Sequence, residues 1–577
     1  MISISAILLP FMLAGTPVEA AKMPKPDFDM KLEQYDIQLT SYTFPSGLVV
    51  IFQEEHSQPI ISVTTVFDSG AEHDQPGMEG IAHVVEHLAF RAQHGDLPKN
   101  MDLVKQLGGS FNASTWLDWT NYMTIAPRDA MSALLAIEAR RMKDGVANVT
   151  EEDVKLEVEI ARNEKRMRDE NGALGDAFRV IGTLMFPEGH PYTRSVIGSH
   201  ESLSNINLAA VQEYVAKNYV PEKTTIVVVG DFEMKNAINI LMQSFEQDLD
   251  LLMDHSDARK YQALTTQKEK NDFVDAWFPR LTEYIQQNAN GKGATKRVDC
   301  DKRQDPPMPA SQEALRLKGQ IAEETTVIAW SVPGGYCGED TIANIAANQL
   351  TNYIYQTIVP SWEWSNDEQS IEGLGCFYNA SEYAGYVACY IEPSSDYSNL
   401  TGERLAEKAA DALYMQWDRE VYKNEYVRSF VDWSFQTSKN GGMAQVLGSV
   451  DEVASLYGRA TATAMDAHFT GDVRYFSRTM NQVDSVTGMF PVQEFARKWL
   501  TRDRMVTVIV EPMDEEERAR KEAAARGGEE GVQDYHATSR DDKMKTLFTM
   551  EDMSGEKLSS QVVTPDRSKA RELTLDN

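Results

Sequence analysis

The stretch VQEYVAKNYVPEKTTIVVVG, Val211 to Gly230, decides how the chain is organised, because it occurs twice. It returns as VQEFARKWLTRDRMVTVIVE, Val492 to Glu511. Each copy reads as an amphipathic helix, a short turn and a strand rich in Val, Ile and Thr. A second pair, ISVTTVFDSG (Ile61 to Gly70) and TVIAWSVPGG (Thr326 to Gly335), is in each case a strand that ends at a glycine turn and leads into a helix. Segments that recur in the same order imply a duplicated α/β unit. A chain of 577 residues needs more than one core in any case, since single cores stop growing near about 250–300 residues.

Working outward, the first copy reads as a hairpin over residues 37–52, a strand over 59–67, a helix over 79–91, strands over 110–126 and three helices before Lys223. That order predicts an α+β fold with two homologous α/β domains, each a mainly antiparallel sheet covered by helices on one face. The expected divisions are 35–250 and 321–513 for the two copies and 251–320 for an inserted linker region holding NANGKGATKRVDCDKRQDPPMPAS. A charged tail over 514–577 opens with DEEERARKEAAARGGEEG and reads as a solvated helix.

Residues 1–20 read as a secretory signal peptide, with an apolar run from Ile4 to Leu13 and a small-residue cleavage site near Ala20, although no Lys or Arg precedes the run. No later segment is long and apolar enough to span a membrane, so the mature chain is expected to be exported without an anchor, into a bacterial periplasm or the medium. Lys and Arg number 56 against 88 Asp and Glu, a net charge of −32. That argues against a nucleic-acid binder, which needs a basic face. The four cysteines show no CxxC spacing, which argues against a zinc knuckle. Cys376 and Cys389 flank a hairpin that turns near Glu382 and Tyr383, yet reduced, buried thiols are the expectation for them.

GIAHVVEHLAF, Gly80 to Phe90, holds two of ten histidines four positions apart. Residues at that spacing share a helix face, so His83 and His87 can reach one ion, and Glu86 lies near the same face. The matching helix of the second copy, IANIAANQLTNYIY (Ile342 to Tyr355), has no His and no acid, which a merely solvated face would not explain. Zinc needs a third protein ligand and an open position. Downstream, EEDVKLEVEIARNEKRMRDEN (Glu151 to Asn171) offers Glu157 and Glu164 two helical turns apart, with Glu159 and Glu170 as rivals on spacing alone.

HxxEH is the inverzincin signature, and its surroundings resemble the pitrilysin (M16) family of zinc metallopeptidases, in its smaller, processing-peptidase-like branch. The resemblance runs from about Gln38 to Met513 and is carried by FDSGAEHDQPGMEGIAHVVEHLAF, LGGSFNASTWLDWTNY (Leu107 to Tyr122), the pair Glu157 and Glu164, and VVGDFE (Val228 to Glu233). It implies half of an M16 clamshell, with His83, His87 and Glu164 as ligands of one Zn2+ per chain. Glu86 would be the general base and Glu157 the catalytic-site acid supporting a ligand. Asn112 and Ala113 would bind substrate on an edge strand that adds a peptide to the sheet. Asn112-Ala113-Ser114 is also a glycosylation sequon, and a glycan there would block that edge, which favours bacterial export.

The implied function is a zinc-dependent endopeptidase acting on peptides or unfolded segments in an enclosed chamber. A non-catalytic scaffold subunit of the same fold, or a zinc hydrolase of another class, are the alternatives. A single half also implies a second M16-like subunit. The family's partner half supplies an Arg and a Tyr to hold the peptide. Asn352 to Tyr378 contains no Arg, with Tyr378 matching the Tyr and Thr357 or Ile358 standing where the cation belongs. A heterodimer is therefore expected, and a homodimer is the alternative.

Overall fold

The computed structural model describes residues 39–514 apart from 171–173, 289–297, 302, 310, 359–370, 395–401, 418–422, 424 and 473–474, together with 517 and 571–572. The signal-peptide segment and almost all of the charged tail lie outside the described residues.

Six strands form the first sheet: β1 (Thr40–Thr43), β2 (Val49–Glu54), β3 (Ile60–Phe67), β4 (Ser110–Thr115), β5 (Thr120–Pro127) and β6 (Thr224–Gly230). The second has β7 (Leu315–Gly319), β8 (Thr325–Pro333), β9 (Ile371–Asn379), β10 (Ala384–Pro393), β11 (Met505–Pro512) and the two-residue β12 (Arg571–Glu572). Their orders are β1-β2-β6-β3-β5-β4 and β12-β7-β11-β8-β10-β9. Setting aside the outermost β1 and β12, the two sheets have one topology. In each, the recurring helix–turn–strand segment feeds the strand beside the centre: Leu208–Asn218 leads to β6, and Phe490–Trp499 to β11. β6 runs parallel to β2, as β11 does to β7, and both are antiparallel to the central β3 and β8. The duplication read from sequence is thus a duplication of sheet order.

Both faces of each sheet are covered, where the strand pattern suggested one. Ile226 and Val228 face one core with Val50 and Phe52, while Val227 and Val229 face another with Val49 and Ile51. The second core is closed by a helix from the other copy, Arg459–Thr470, which lays Ala460, Ala464 and Ala467 on the sheet. Its small side chains bring the helix close enough for Thr461 to meet Thr64 at 2.9 Å and for His468 to meet Thr225 at 2.9 Å. The exchange is mutual. Helix Gly175–Met185 of the first copy places Ala177, Val180, Ile181 and Met185 against Val327, Ala329, Val506 and Val508 of the second sheet. Strands buried on both faces read as continuous apolar runs rather than alternating ones, which is why Ile226 to Val229 shows no alternation.

Five α-helices, not three, separate β5 from β6: Met131–Asp144, Glu151–Lys165, Gly175–Met185, His200–Ser204 and Leu208–Asn218. The fourth has five residues, too few to show a helical period, and is marked only by Ser199 capping its first turn. In the inserted region, helices His255–Gln262 and Gln267–Asn288 pack Tyr261, Val274 and Trp277 on the first core. The cysteines are paired, not reduced: Cys300 with Cys337, and Cys376 with Cys389. Cys376 lies directly opposite Cys389 in the β9–β10 register, with Cα atoms 4.0 Å apart. Hairpin register, which sequence spacing does not specify, brings those two together. Among the described residues no helix is long and apolar enough to cross a membrane.

Candidate metal centre

Helix Ile81–Arg91 begins at Gly80, whose φ of +97° is left-handed; a Cβ there would lie 2.6 Å from the Ile197 carbonyl oxygen. Its first N–H groups are capped from a distance by Asp74, which accepts from Gly80 N–H at 2.7 Å and Ala82 N–H at 3.1 Å. Arg194 donates to the backbone oxygens of Glu72 and Asp74 at 2.9 and 2.7 Å and so fixes the loop that carries the cap. These bonds tie down this end of the helix, and the polar triad sits on its next turns.

The His83 and His87 rings lie 4.6 Å apart, edge to face. Glu164, near the end of helix Glu151–Lys165, places Oε2 3.6 Å from both His83 Nε2 and His87 Nε2. Tetrahedral zinc with ligands at about 2.0–2.2 Å spaces them about 3.3–3.6 Å apart. Two imidazole nitrogens and a carboxylate oxygen fit zinc in donor type, and the two distances from Glu164 fit its geometry. Burial first, then the neighbouring His87 and Arg168, push His83 down to about 3. It is therefore held neutral, the form that ligates a metal. His87 is buried too, but its bond to Glu157 and the surrounding carboxylates outweigh burial and raise it.

Glu157 meets His87 on the other ring nitrogen, Nδ1, at 2.9 Å, and also accepts from Arg91. In the neutral ring, Nδ1–H donated to Glu157 leaves the lone pair of His87 on Nε2, facing Glu164. Glu86 is 7 % exposed, and burial pushes it up to about 7 against the hydrogen bond it accepts from Thr115. Of the rivals, Glu159 is 55 % exposed and bonded to Arg162, and the side chain of Glu170 lies outside the described residues. Asn112 is exposed and Ala113 buried on β4. His83, Glu86, His87, Glu164, Asn112 and Ala113 line one cleft of about 530 Å³, with helix Gly175–Met185 and Ser381, Ala384 and Tyr386 of the second copy also on its wall.

Several residues of this site carry no sequence signal of their own. Thr115 is held beside Glu86 because Gly70 packs against the β4–β5 turn, so closely that a Cβ at Gly70 would lie 2.4 Å from the Trp116 and Leu117 backbone oxygens. Arg168 donates to Glu164 Oε1 at 2.9 Å, leaving Oε2 for the histidines. Asp74 is six residues from the helix it caps, beyond any local capping pattern. Tyr378, the residue matched to the family's substrate Tyr, donates its hydroxyl to Asp340 at 2.9 Å and is not among the residues lining the cleft. Thr357 and Ile358 end helix Asp340–Ile358, and 359–370 lie outside the described residues.

Residues 49–174 match the family model "Insulinase (Peptidase family M16)". The chain is 29% identical over 220 residues to the zinc protease PqqE of Helicobacter pylori, covering 38% of this chain and 49% of that protein, so the match spans about half the relative's length. The crystal structure of a protease from Helicobacter pylori superposes with a TM-score of 0.60 at 19% identity, covering 82% of this chain and 99% of that one. A peptidase M16 inactive domain from Pseudomonas fluorescens superposes with a TM-score of 0.59 at 14% identity, over 83% of this chain and 98% of that one. The M16 peptidase domain thus matches the segment that holds His83 to Glu164, and the fold of both sheets is that of these solved structures.

Proposed function

We propose that this chain is a zinc-dependent endopeptidase that hydrolyses peptides or unfolded segments. The observation that carries the reading is the convergence of His83 Nε2, His87 Nε2 and Glu164 Oε2, with Glu86 alongside, next to the open edge of β4. Those three groups would hold a zinc ion, which would supply Lewis acidity and lower the pKa of a bound water toward neutral. Glu86, fixed by Thr115, takes a proton from the water and delivers it to the departing amine nitrogen. Glu157 keeps His87 in the tautomer and orientation that ligate. Phe111, Ala113 and Thr115 share the face of β4 toward helix Ile81–Arg91, as the Phe90–Phe111 ring contact at 4.7 Å and the Thr115–Glu86 bond require. A peptide that adds to β4 by main-chain pairing therefore runs alongside the metal ligands whatever its sequence.

In this reading 35–250 is the catalytic domain, 321–513 an inactive copy, and the chain works in an exported location beside a second M16-like subunit that brings the missing Arg and Tyr. A scaffold role is the second reading, favoured by the likeness to an M16 domain titled inactive. One experiment separates them. The purified chain should hold about one zinc and lose it in His83→Ala and Glu164→Ala. It should also cleave a mixed pool of unstructured peptides, alone or after a partner is added, with its mass in solution measured alongside. Glu86→Gln should retain zinc and slow cleavage by at least roughly a hundredfold; an unchanged rate in that variant, or zinc held in full without His83, ends the proposal.

A further inference from the structure

Among the described residues β4 is a free edge of the first sheet, and the ladder tells which of its backbone groups face outward. Trp116 N–H donates to the Trp119 oxygen at 2.8 Å across the β4–β5 turn. Hydrogen-bonded and open pairs alternate from there along an antiparallel ladder. Ser114↔Asn121 and Asn112↔Met123 exchange bonds with β5, while Thr115↔Thr120, Ala113↔Tyr122 and Phe111↔Thr124 turn N–H and C=O away from it. The Ala113 N–H is thus on the open side. Its acceptor is the neighbouring side chain: Asn112 Oδ1, at 3.0 Å. The other end of the same amide, Nδ2, donates to the hydroxyl of Tyr457.

Tyr457 comes from the second copy, yet it is anchored to the first sheet. The turn that presents it is closed by Gly458 N–H to the Ser455 oxygen at 3.1 Å and by Thr461 Oγ1 to the Leu456 oxygen at 2.6 Å. It runs straight into helix Arg459–Thr470, which Ala460, Ala464 and Ala467 seat on the far face of that sheet, with Arg459 paired to Glu55 at 2.9 Å. Tyr457 itself is 58 % exposed and lines the same cleft as His83 and Glu164.

We infer that Asn112 and Tyr457 form a removable cap on the substrate edge, in which Tyr457 holds the Asn112 amide over the Ala113 N–H until a peptide carbonyl takes its place. The inference rests on the peptidase reading above. An uncapped edge donor invites pairing with any extended chain, and the cap answers that hazard while leaving an acceptor site that an incoming peptide backbone can claim. Tyr457 is then a positioning residue: it acts through Asn112 and sets how tightly peptide binds, without touching the groups that move protons.

The test is Tyr457→Phe, which keeps the ring and removes the hydroxyl, in the zinc-loaded full chain. Residue-resolved hydrogen–deuterium exchange should show the Ala113 amide exchanging about two- to tenfold faster, the share of one net hydrogen bond, with the thermal midpoint unchanged. In a Glu86→Gln background, where turnover is slow, a fluorescein-labelled unstructured peptide should bind tighter by a similar factor. Unchanged exchange at Ala113 overturns the cap. Faster exchange with weaker or equal peptide binding overturns its competition with substrate. Absence of peptide binding to both proteins overturns the peptidase reading instead, and the exchange result tells the two failures apart.

Discussion

Glu157→Ala probes the division of labour between the two acids of helix Glu151–Lys165. Glu157 is 4 % exposed and takes the His87 Nδ1–H at 2.9 Å. A hydrogen bond to a charged group contributes about 1.5–3 kcal/mol, and losing the partner of a metal-binding imidazole costs on the order of 10–100-fold in metal affinity. Arg91, which also donates to Glu157, would keep Asp153, at 3.8 Å. Zinc affinity, read by competition with a chelator of known strength, should therefore weaken about 10–100-fold in Glu157→Ala. Glu157→Gln keeps an acceptor oxygen for Nδ1–H but not the charge, and charge-assisted bonds are roughly twice as strong as neutral ones, so its loss should be clearly smaller. Glu159, exposed and paired with Arg162, serves as the control on the same helix and should show no change. An affinity within about twofold of wild type in Glu157→Ala, or an equal loss in Glu159→Ala, would refute the assignment.

Two further tests address the frame around the site. Gly80→Ala forces a Cβ to 2.6 Å from the Ile197 oxygen at a φ of +97°. The left-handed strain and overpacking together should cost about 2–5 kcal/mol, read in the urea midpoint; a loss under about 1 kcal/mol would show that the helix start tolerates a side chain. Asp118 joins the two copies by accepting from Tyr192 and from Glu382 N–H, the latter at 2.9 Å. Burial pushes it up to about 6 from 3.8, against the pull of those two bonds. A raised acid pKa means that the folded chain holds the proton more tightly than the unfolded one. Its contribution is therefore complete below about pH 4 and is lost as pH rises through about 6, amounting to about 3 kcal/mol. Asp118→Asn has no such proton, so the stability difference between wild type and variant should change across that window; a constant difference from pH 4 to 7 contradicts it.

Local chemistry made part of this molecule legible in one dimension. The pairing of His83 with His87 needs only the helical period, and the duplication needs only that helix, turn and strand recur in order, since each follows from contacts a few residues apart. The double burial of the sheets was hidden even though TTIVVVG shows it in hindsight. The unbroken apolar run Ile226 to Val229 says that both faces are dry but not what dries them, and the covering helices Arg459–Thr470 and Gly175–Met185 come from the opposite copies. The short helix His200–Ser204 and the register that sets Cys376 against Cys389 were likewise out of reach, because neither has a period to read.

Within the site the same boundary holds. Spacing put Glu157 and Glu164 on one helix face, but which meets Nε2 and which meets Nδ1 depends on how two helices cross, a long-range fact. Asp74, Thr115 and Arg168 became visible only once the chain was folded, since each acts on a neighbour brought to it by packing or by a distant turn. The furthest example is Tyr457, bonded to Asn112 across 345 positions of sequence. The sequence by itself determined the pairing of His83 with His87 and the helix that presents it, and by spacing alone left the acid open among Glu157, Glu159, Glu164 and Glu170. The tertiary structure decided the angles, the tautomer and the edge beside which the donors stand, because those are set by burial and helix crossing rather than by any neighbour along the chain.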